Sequence, residues 1–282
     1  MLRKFIPALV TTAAALGVTH SAVAQERQTA TSQLDTTVTL LSDQRTRGVS
    51  DSLMSPAIKL GVQYVHESGF VALAEIVSAS QKTFTNSDGH SLTLAGGYRF
   101  GDPEGWHYGV GLATEIFPGA KFDAPHGFDP MVGPTDFRSS NYNTSFAVLE
   151  IGYGALEGRI LNVLSKTYRA ADTGGVCGQM LDIAFSTGAD LSNALTCYGR
   201  GDQNSRGTLL FDLDYKFAVA PATTLTLHAG YQKVANFAEA NFSDVDFVTT
   251  RTKTPELFMV RDGTDLRRID NNKVVLSVSR RF

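Results

Sequence analysis

The chain has 282 residues, a natural size for one large domain or two small ones and too long for a disulfide-stapled mini-protein. Apolar types make up 43% and charged types only 19%, against about 25% in an average soluble protein, and the net charge is −3. Ample apolar content at low net charge excludes intrinsic disorder, and the absence of any Lys/Arg block argues against a nucleic-acid partner.

The chain opens with Arg3 and Lys4, runs through a mostly apolar stretch over residues 5–18, and reaches Ala22-Val23-Ala24. A basic start, a short apolar run and small residues at the cleavage positions predict a signal peptide over residues 1–24 that is cleaved. The run is too short for a membrane helix, which needs about 20 residues, and no later stretch qualifies. Residues 25–282 are therefore expected to form one exported domain.

That domain alternates with a period of two. Residues 36–42 begin the pattern, and residues 58–64 set Ile58, Leu60, Val62 and Tyr64 against Lys59 and Gln63. Residues 70–80 are extended but do not alternate cleanly around Glu75. Residues 91–100 oppose Leu92, Leu94, Tyr98 and Phe100 to Thr93, Gly97 and Arg99. Residues 106–116 oppose Trp106, Tyr108, Val110, Leu112 and Ile116 to His107, Gly109, Gly111 and Glu115. Residues 142–153, irregular around Glu150, and 156–168 follow as further strands. In residues 208–217 Leu209, Phe211, Leu213, Tyr215 and Phe217 face away from Asp212, Asp214 and Lys216. Residues 224–232 repeat this with Leu225, Leu227, Ala229 and Tyr231 against His228 and Gln232. Strands over 245–252, 257–261 and 273–282 complete about 12, most of them long enough to cross a bilayer at a tilt.

Short connections (66–69, 101–104, 152–154 and 220–223) alternate strictly with long ones (43–55, 81–89, 118–141, 169–206, 235–244 and 262–272). An up-and-down barrel in an outer membrane produces this order, with short periplasmic turns and long external loops. A Greek-key sandwich has no reason to keep it. The expected fold is all-β: an up-and-down antiparallel transmembrane β-barrel. Its last strand carries Val274, Leu276, Val278 and Phe282 on one face, as barrel-closing C-terminal strands do, although Arg280 interrupts that face.

Residues 41–50, Leu-Ser-Asp-Gln-Arg-Thr-Arg-Gly-Val-Ser, resemble the opening motif of the TorF-family porins, which reads roughly Ser-Asp-Tyr-Arg-Phe-Arg-Gly-Ile/Val-Ser. Ser55-Pro56-Ala57, Tyr64 to Phe70, the run from Phe211 to Tyr231 and the Val-Ser-Arg-Arg-Phe ending extend the resemblance. Two aromatic positions of the motif are Gln44 and Thr46 here. The resemblance implies a proteobacterial outer-membrane barrel. It says little about a solute.

In such a barrel the polar faces line the lumen, which designates Lys59, Gln63, Arg99, His107, Glu115, Asp212, Asp214, Lys216, His228 and Gln232 as pore-lining. The competing reading is that these charges pair into a filled, non-conducting interior. Asp43, Arg45, Arg47 and Gly48 of the opening motif, with Asp51 nearby, lie where the first strand meets the first loop. They are read as a charged constriction, a site for lipid-A phosphates, or solvated loop charges. Phe70, Phe100, Trp106, Phe117 and Tyr231 suit interfacial girdles. Cys177 and Cys197, the only cysteines, lie in the longest loop and are expected to form a disulfide in an oxidising compartment.

No Gly-x-Ser-x-Gly elbow and no His-Glu-x-x-His motif is present, so neither catalysis nor a cofactor is expected. Asp123, His126 and Asp129 share a loop, but their spacing is too unspecific to claim a metal. The expected function is a porin-like channel for passive diffusion of small hydrophilic or ionic solutes. The alternative is a non-conducting barrel whose external loops bind a ligand or partner. Outer-membrane lipid including lipopolysaccharide, the barrel-assembly machinery and a small solute or ion are the expected partners.

Overall fold

The computed structural model describes residues 32–46, 49–220, 223–246 and 277–281. Eleven strands form one antiparallel sheet. In chain order these are β1 (Gln33–Leu41), β4 (Ala57–Val65), β5 (Phe70–Ser78), β6 (His90–Gly101), β7 (Trp106–Ile116), β10 (Thr144–Tyr153), β11 (Leu156–Val163), β12 (Leu209–Ala220), β13 (Thr223–Lys233), β14 (Phe242–Asp246) and β15 (Ser277–Arg281). Two small ribbons stand apart from it: β2 (Arg45–Thr46) with β3 (Val49–Ser50), and β8 (Lys121–Asp129) with β9 (Gly133–Asn141).

From β1 to β14 each strand of the large sheet pairs with the next one of that sheet in sequence, and β15, from near the C-terminus, pairs with β1. The sheet is the wall of an up-and-down barrel. The strand expected over 257–261, the signal segment 1–24 and most of 245–252 lie outside the described residues.

Side-chain alternation separates the two faces. The outward positions are apolar and exposed: Leu34, Leu60, Leu94, Val110, Leu112, Leu149, Ile151, Leu213 and Leu227 among them, with Leu112 at 63%. A face of this kind has no reason to meet water over such an area. Aromatic side chains gather on it near the short turns. Phe100 stacks on Tyr108, Trp106 packs on Tyr153, and Phe70 meets Tyr98 edge-on at 5.5 Å. Phe211 and Tyr231 form a similar pair nearer the long loops. Phe117 does not join them: it is 2% exposed and packs inside the loops on Phe84 and Tyr142. The girdle expectation fails there because Phe117 lies just past the end of β7, where the chain has turned inward.

The connections differ as sharply as the faces. At one end the chain reverses within a few residues, with Gly69 and Gly101 at positive φ making the tight turns possible. At the other end the long connections are structured. The β7–β10 connection contains the β8/β9 hairpin, and the β11–β12 connection contains α1 (Gln179–Thr187) and α2 (Ser192–Tyr198). The sequence pattern predicts plain loops at both places, and the structure replaces them with a hairpin and two helices.

Loop residues pack on the inner wall. Val176, Cys177, Leu181, Ala194 and Cys197 form one apolar cluster with Phe146, Val148, Leu161, Val163 and Leu210 of β10, β11 and β12. The core of this barrel therefore lies at its loop end.

Candidate functional site

Every residue designated as pore-lining stands on the inner face by strand register. The structure divides them between two environments.

Toward the short turns the inner wall carries a belt of charge. Arg99 donates to Glu150 through Nε at 2.7 Å and Nη2 at 3.0 Å, and Glu157 lies 3.8 Å from the same guanidinium. Lys216 donates to Glu157 at 3.0 Å. Arg159 pairs with Asp214, whose other carboxylate oxygen meets His228 Nδ1 at 2.7 Å. Asp212 lies 3.9 Å from the second ring nitrogen of His228. Nearer the loop end of β4 and β5, Lys59 and Glu75 form a separate pair at 3.1 Å, and Gln63 is half-buried on the same strand as Lys59.

These side chains lie flat because glycines make room for them. A Cβ on Gly109 would come within 2.7 Å of Glu150 Oε2, and one on Gly152 within 2.1 Å of the His107 ring. Each pair joins strands that neighbour one another or stand close along the ring. Among the described residues, the belt's ion pairs run along the wall and not across the lumen.

Toward the loops the inner polar residues hold a plug. Glu115 accepts from Arg169 Nε at 2.9 Å and from its Nη2 at 2.6 Å. The same guanidinium donates to Asp51 at 3.1 Å and lies over the rings of Phe117 and Phe84, 5.4 and 5.7 Å from their centroids. Arg169 and Ala170 both have positive φ, an uncommon conformation for residues other than glycine. Burial pushes the Asp51 carboxyl above its ordinary value against the pull of Arg169. Burial also opposes the Arg169 charge, but Asp51 and Glu115 outweigh it and hold that charge firmly. Gln232 accepts from the Tyr168 hydroxyl at 2.8 Å and donates to the Ala240 carbonyl at 2.9 Å. Arg169 thus ties the first, second, third and fourth long connections to the wall.

Of the opening motif, Asp43 and Arg45 are buried and pair with each other at 2.7 Å. Asp43 also accepts from the hydroxyls of Ser50 and Ser52. These charges shape their own loop, so the readings that set them in solvent or against lipid phosphates do not hold. Arg47 and Gly48 lie outside the described residues. The Cys177–Cys197 disulfide is formed and joins the segment before α1 to α2. Val278 pairs through its backbone with Leu40; Val274, Leu276 and Phe282 lie outside the described residues.

Asp123, His126 and Asp129 go separate ways. Asp123 accepts from Ser139, and Asp129 caps the hairpin turn at the backbone nitrogen of Met131. His126 stands 3.3 Å from Asp172 and 3.4 Å from Ser140. These three resemble a nucleophile set only in composition. The Ser140 hydroxyl donates to Asp172 and leaves the imidazole without its proton to take, and all three side chains are buried. Their geometry anchors the hairpin to the fourth loop.

Sequence reading missed Glu75, Glu150, Glu157, Arg159 and Arg169, and it placed Asp51 beside Arg45 and Arg47 without its partner Arg169. The inward positions of β5 and β10 are mostly apolar, because many of them face the plug, and this hides the alternation that would have exposed Glu75 and Glu150.

The sequence model of a bacterial protein family of unknown function (Gcw_chp) matches residues 25–152, a little under half of the chain. No curated protein matches. Among solved structures, the β domain of the Bordetella autotransporter BrkA aligns at 11% identity, over 76% of this chain and 83% of that one, with a TM-score of 0.27.

Proposed function

We propose that this protein is an outer-membrane β-barrel acting as a narrow channel for passive diffusion of small hydrophilic or ionic solutes, capped at its external mouth by its own loops. One observation carries the reading: the charged residues of the belt pair along the wall. A barrel filled by its own charges would pair them across the lumen. Pairing along the wall leaves the axis to water and sets polar groups beside it.

The exposed apolar outer face and the aromatic band near the short turns support a membrane position, with the short turns periplasmic and the loops outside. The predicted signal peptide supports export. Lipid, including lipopolysaccharide in the outer leaflet, is then the partner of the outer face, and the barrel-assembly machinery reads the last strand. No covalent step is part of the proposal.

A second reading, a non-conducting barrel whose loops bind a ligand, is favoured by the Arg169 cluster, which holds the mouth shut in this structure. Two measurements separate the possibilities. Heat-modifiable migration and recovery in the outer-membrane fraction are expected, and recovery in the soluble periplasm would refute the location. Liposomes carrying the refolded protein are expected to swell in small solutes faster than empty ones. Equal swelling would favour the non-conducting barrel.

A further inference from the structure

The loop-end rim of the wall carries three exposed cations over three consecutive strands. Lys166 follows β11, Arg206 precedes β12, and Lys233 ends β13. Strand pairing gathers them. Lys233 is the direct partner of Leu209, close in the chain to Arg206. The backbone nitrogen of Gly207, next to Arg206, donates to the Val163 carbonyl just before Lys166. Adjacent strands stand about 4.8 Å apart, so three strand ends span about 10 Å.

None of the three side chains forms an ion pair among the described residues. The nearby loop carboxylates are engaged elsewhere, Glu239 with Arg200 and Asp202 with Arg138. The rim therefore presents positive charge that the described residues do not neutralise.

Just below it the outer wall is apolar. Lys233 shares its face of the sheet with the stacked Phe211 and Tyr231, and Ile160 and Leu164 are exposed beside them. A long basic side chain above such a surface keeps its charge at the polar boundary. A soluble anion would use only the cations, and an uncharged lipid only the wall. An amphiphile with phosphates on its head and acyl chains beneath uses both, and Arg and Lys are the side chains that bind phosphate.

We propose that Lys166, Arg206 and Lys233 bind the phosphates of lipid A, whose acyl chains lie along the wall at Ile160, Leu164, Phe211 and Tyr231. The inference rests on the outer-membrane reading with the loops outside, and it is independent of conductance.

The test is native mass spectrometry of the mature protein, refolded in lauryldimethylamine oxide and titrated with bisphosphorylated lipid A. Monophosphorylated lipid A and phosphatidylglycerol are the comparison lipids. Bisphosphorylated lipid A is expected to be retained best. The triple variant Lys166→Gln, Arg206→Gln, Lys233→Gln changes only exposed side chains and is expected to bind it about tenfold more weakly. Lys121→Gln, which removes an exposed cation of the β8/β9 hairpin, is expected to bind like the parent. Heat-modifiable migration checks that each variant has folded.

Equal retention of lipid A by the parent and the folded triple variant would overturn the proposal, as would equal retention of phosphatidylglycerol. Displacement of lipid A by millimolar inorganic phosphate would assign the cations to a free anion and overturn it too. Recovery of the protein in the soluble periplasm would instead refute the membrane reading beneath it, whereas an outer-membrane protein indifferent to lipid A would refute this site alone.

Discussion

The two ends of this barrel use the same inward-facing polar residues for opposite purposes. Near the short turns Arg99, Glu150, Glu157 and Lys216 neutralise one another along the wall. Near the loops Glu115 and Gln232, drawn from the same alternating pattern, reach residues of the infolded connections and fix them in the mouth. The difference lies in the partner. A wall charge whose partner is on a nearby strand stays on the wall, and one whose partner is on a loop holds that loop in the mouth.

The largest effect expected from breaking that contrast is at Arg169. Arg169→Met leaves the Asp51 and Glu115 carboxylates buried without their cation, a loss of about 3–5 kcal/mol. Hydrogen exchange across residues 164–208 should accelerate strongly while β6 and β7 near the short turns stay protected. Equal acceleration in both places would mean that the ends are one cooperative unit.

A somewhat smaller effect is expected from replacing Cys177 and Cys197 with serine. The bond closes a loop of 20 residues, and its loss should cost about 3 kcal/mol, confined to the plug. Protease should then cut within residues 170–200 of the folded barrel. A resistant loop would show that packing on Phe146 and Leu161 suffices without the bond.

The charge belt gives the third test. Asp212→Asn together with Asp214→Asn removes two carboxylates from the lumen wall near Arg159 and His228. The reversal potential under a salt gradient should move toward anions. An unchanged value in a variant that still folds and conducts would place them off the path.

The smallest effect is that of pH on closure. Burial in the closed mouth raises the Asp51 carboxyl, which returns to its ordinary value where an open mouth exposes it. The closed form therefore binds the proton more tightly, so acid favours closure and rising pH favours opening. Closure should strengthen as pH falls from above the raised value toward about 4, the ordinary range of a carboxyl. Asp51→Asn should flatten that dependence.

The same division explains what the sequence disclosed. Strands β6, β7, β12 and β13 were legible because lipid-type and polar faces alternate residue by residue along them. The disulfide was legible from two cysteines in one loop. The β8/β9 hairpin and the helices were hidden, since their apolar residues serve a plug and follow no wall period. Arg169 carried no signal at all. It stands in a loop beside Tyr168 and Ala170, and its partners Asp51 and Glu115 come from distant parts of the chain. A buried cation fixed by tertiary contacts alone leaves no local pattern.

The most direct test of the capped channel is a paired single-channel recording of the mature protein and Arg169→Met in planar bilayers. Brief, discrete openings are expected for the parent protein, and a much larger open fraction, at similar unit conductance, for the variant. Silence from both, in folded and heat-modifiable samples, would contradict it and leave a barrel closed along its whole length.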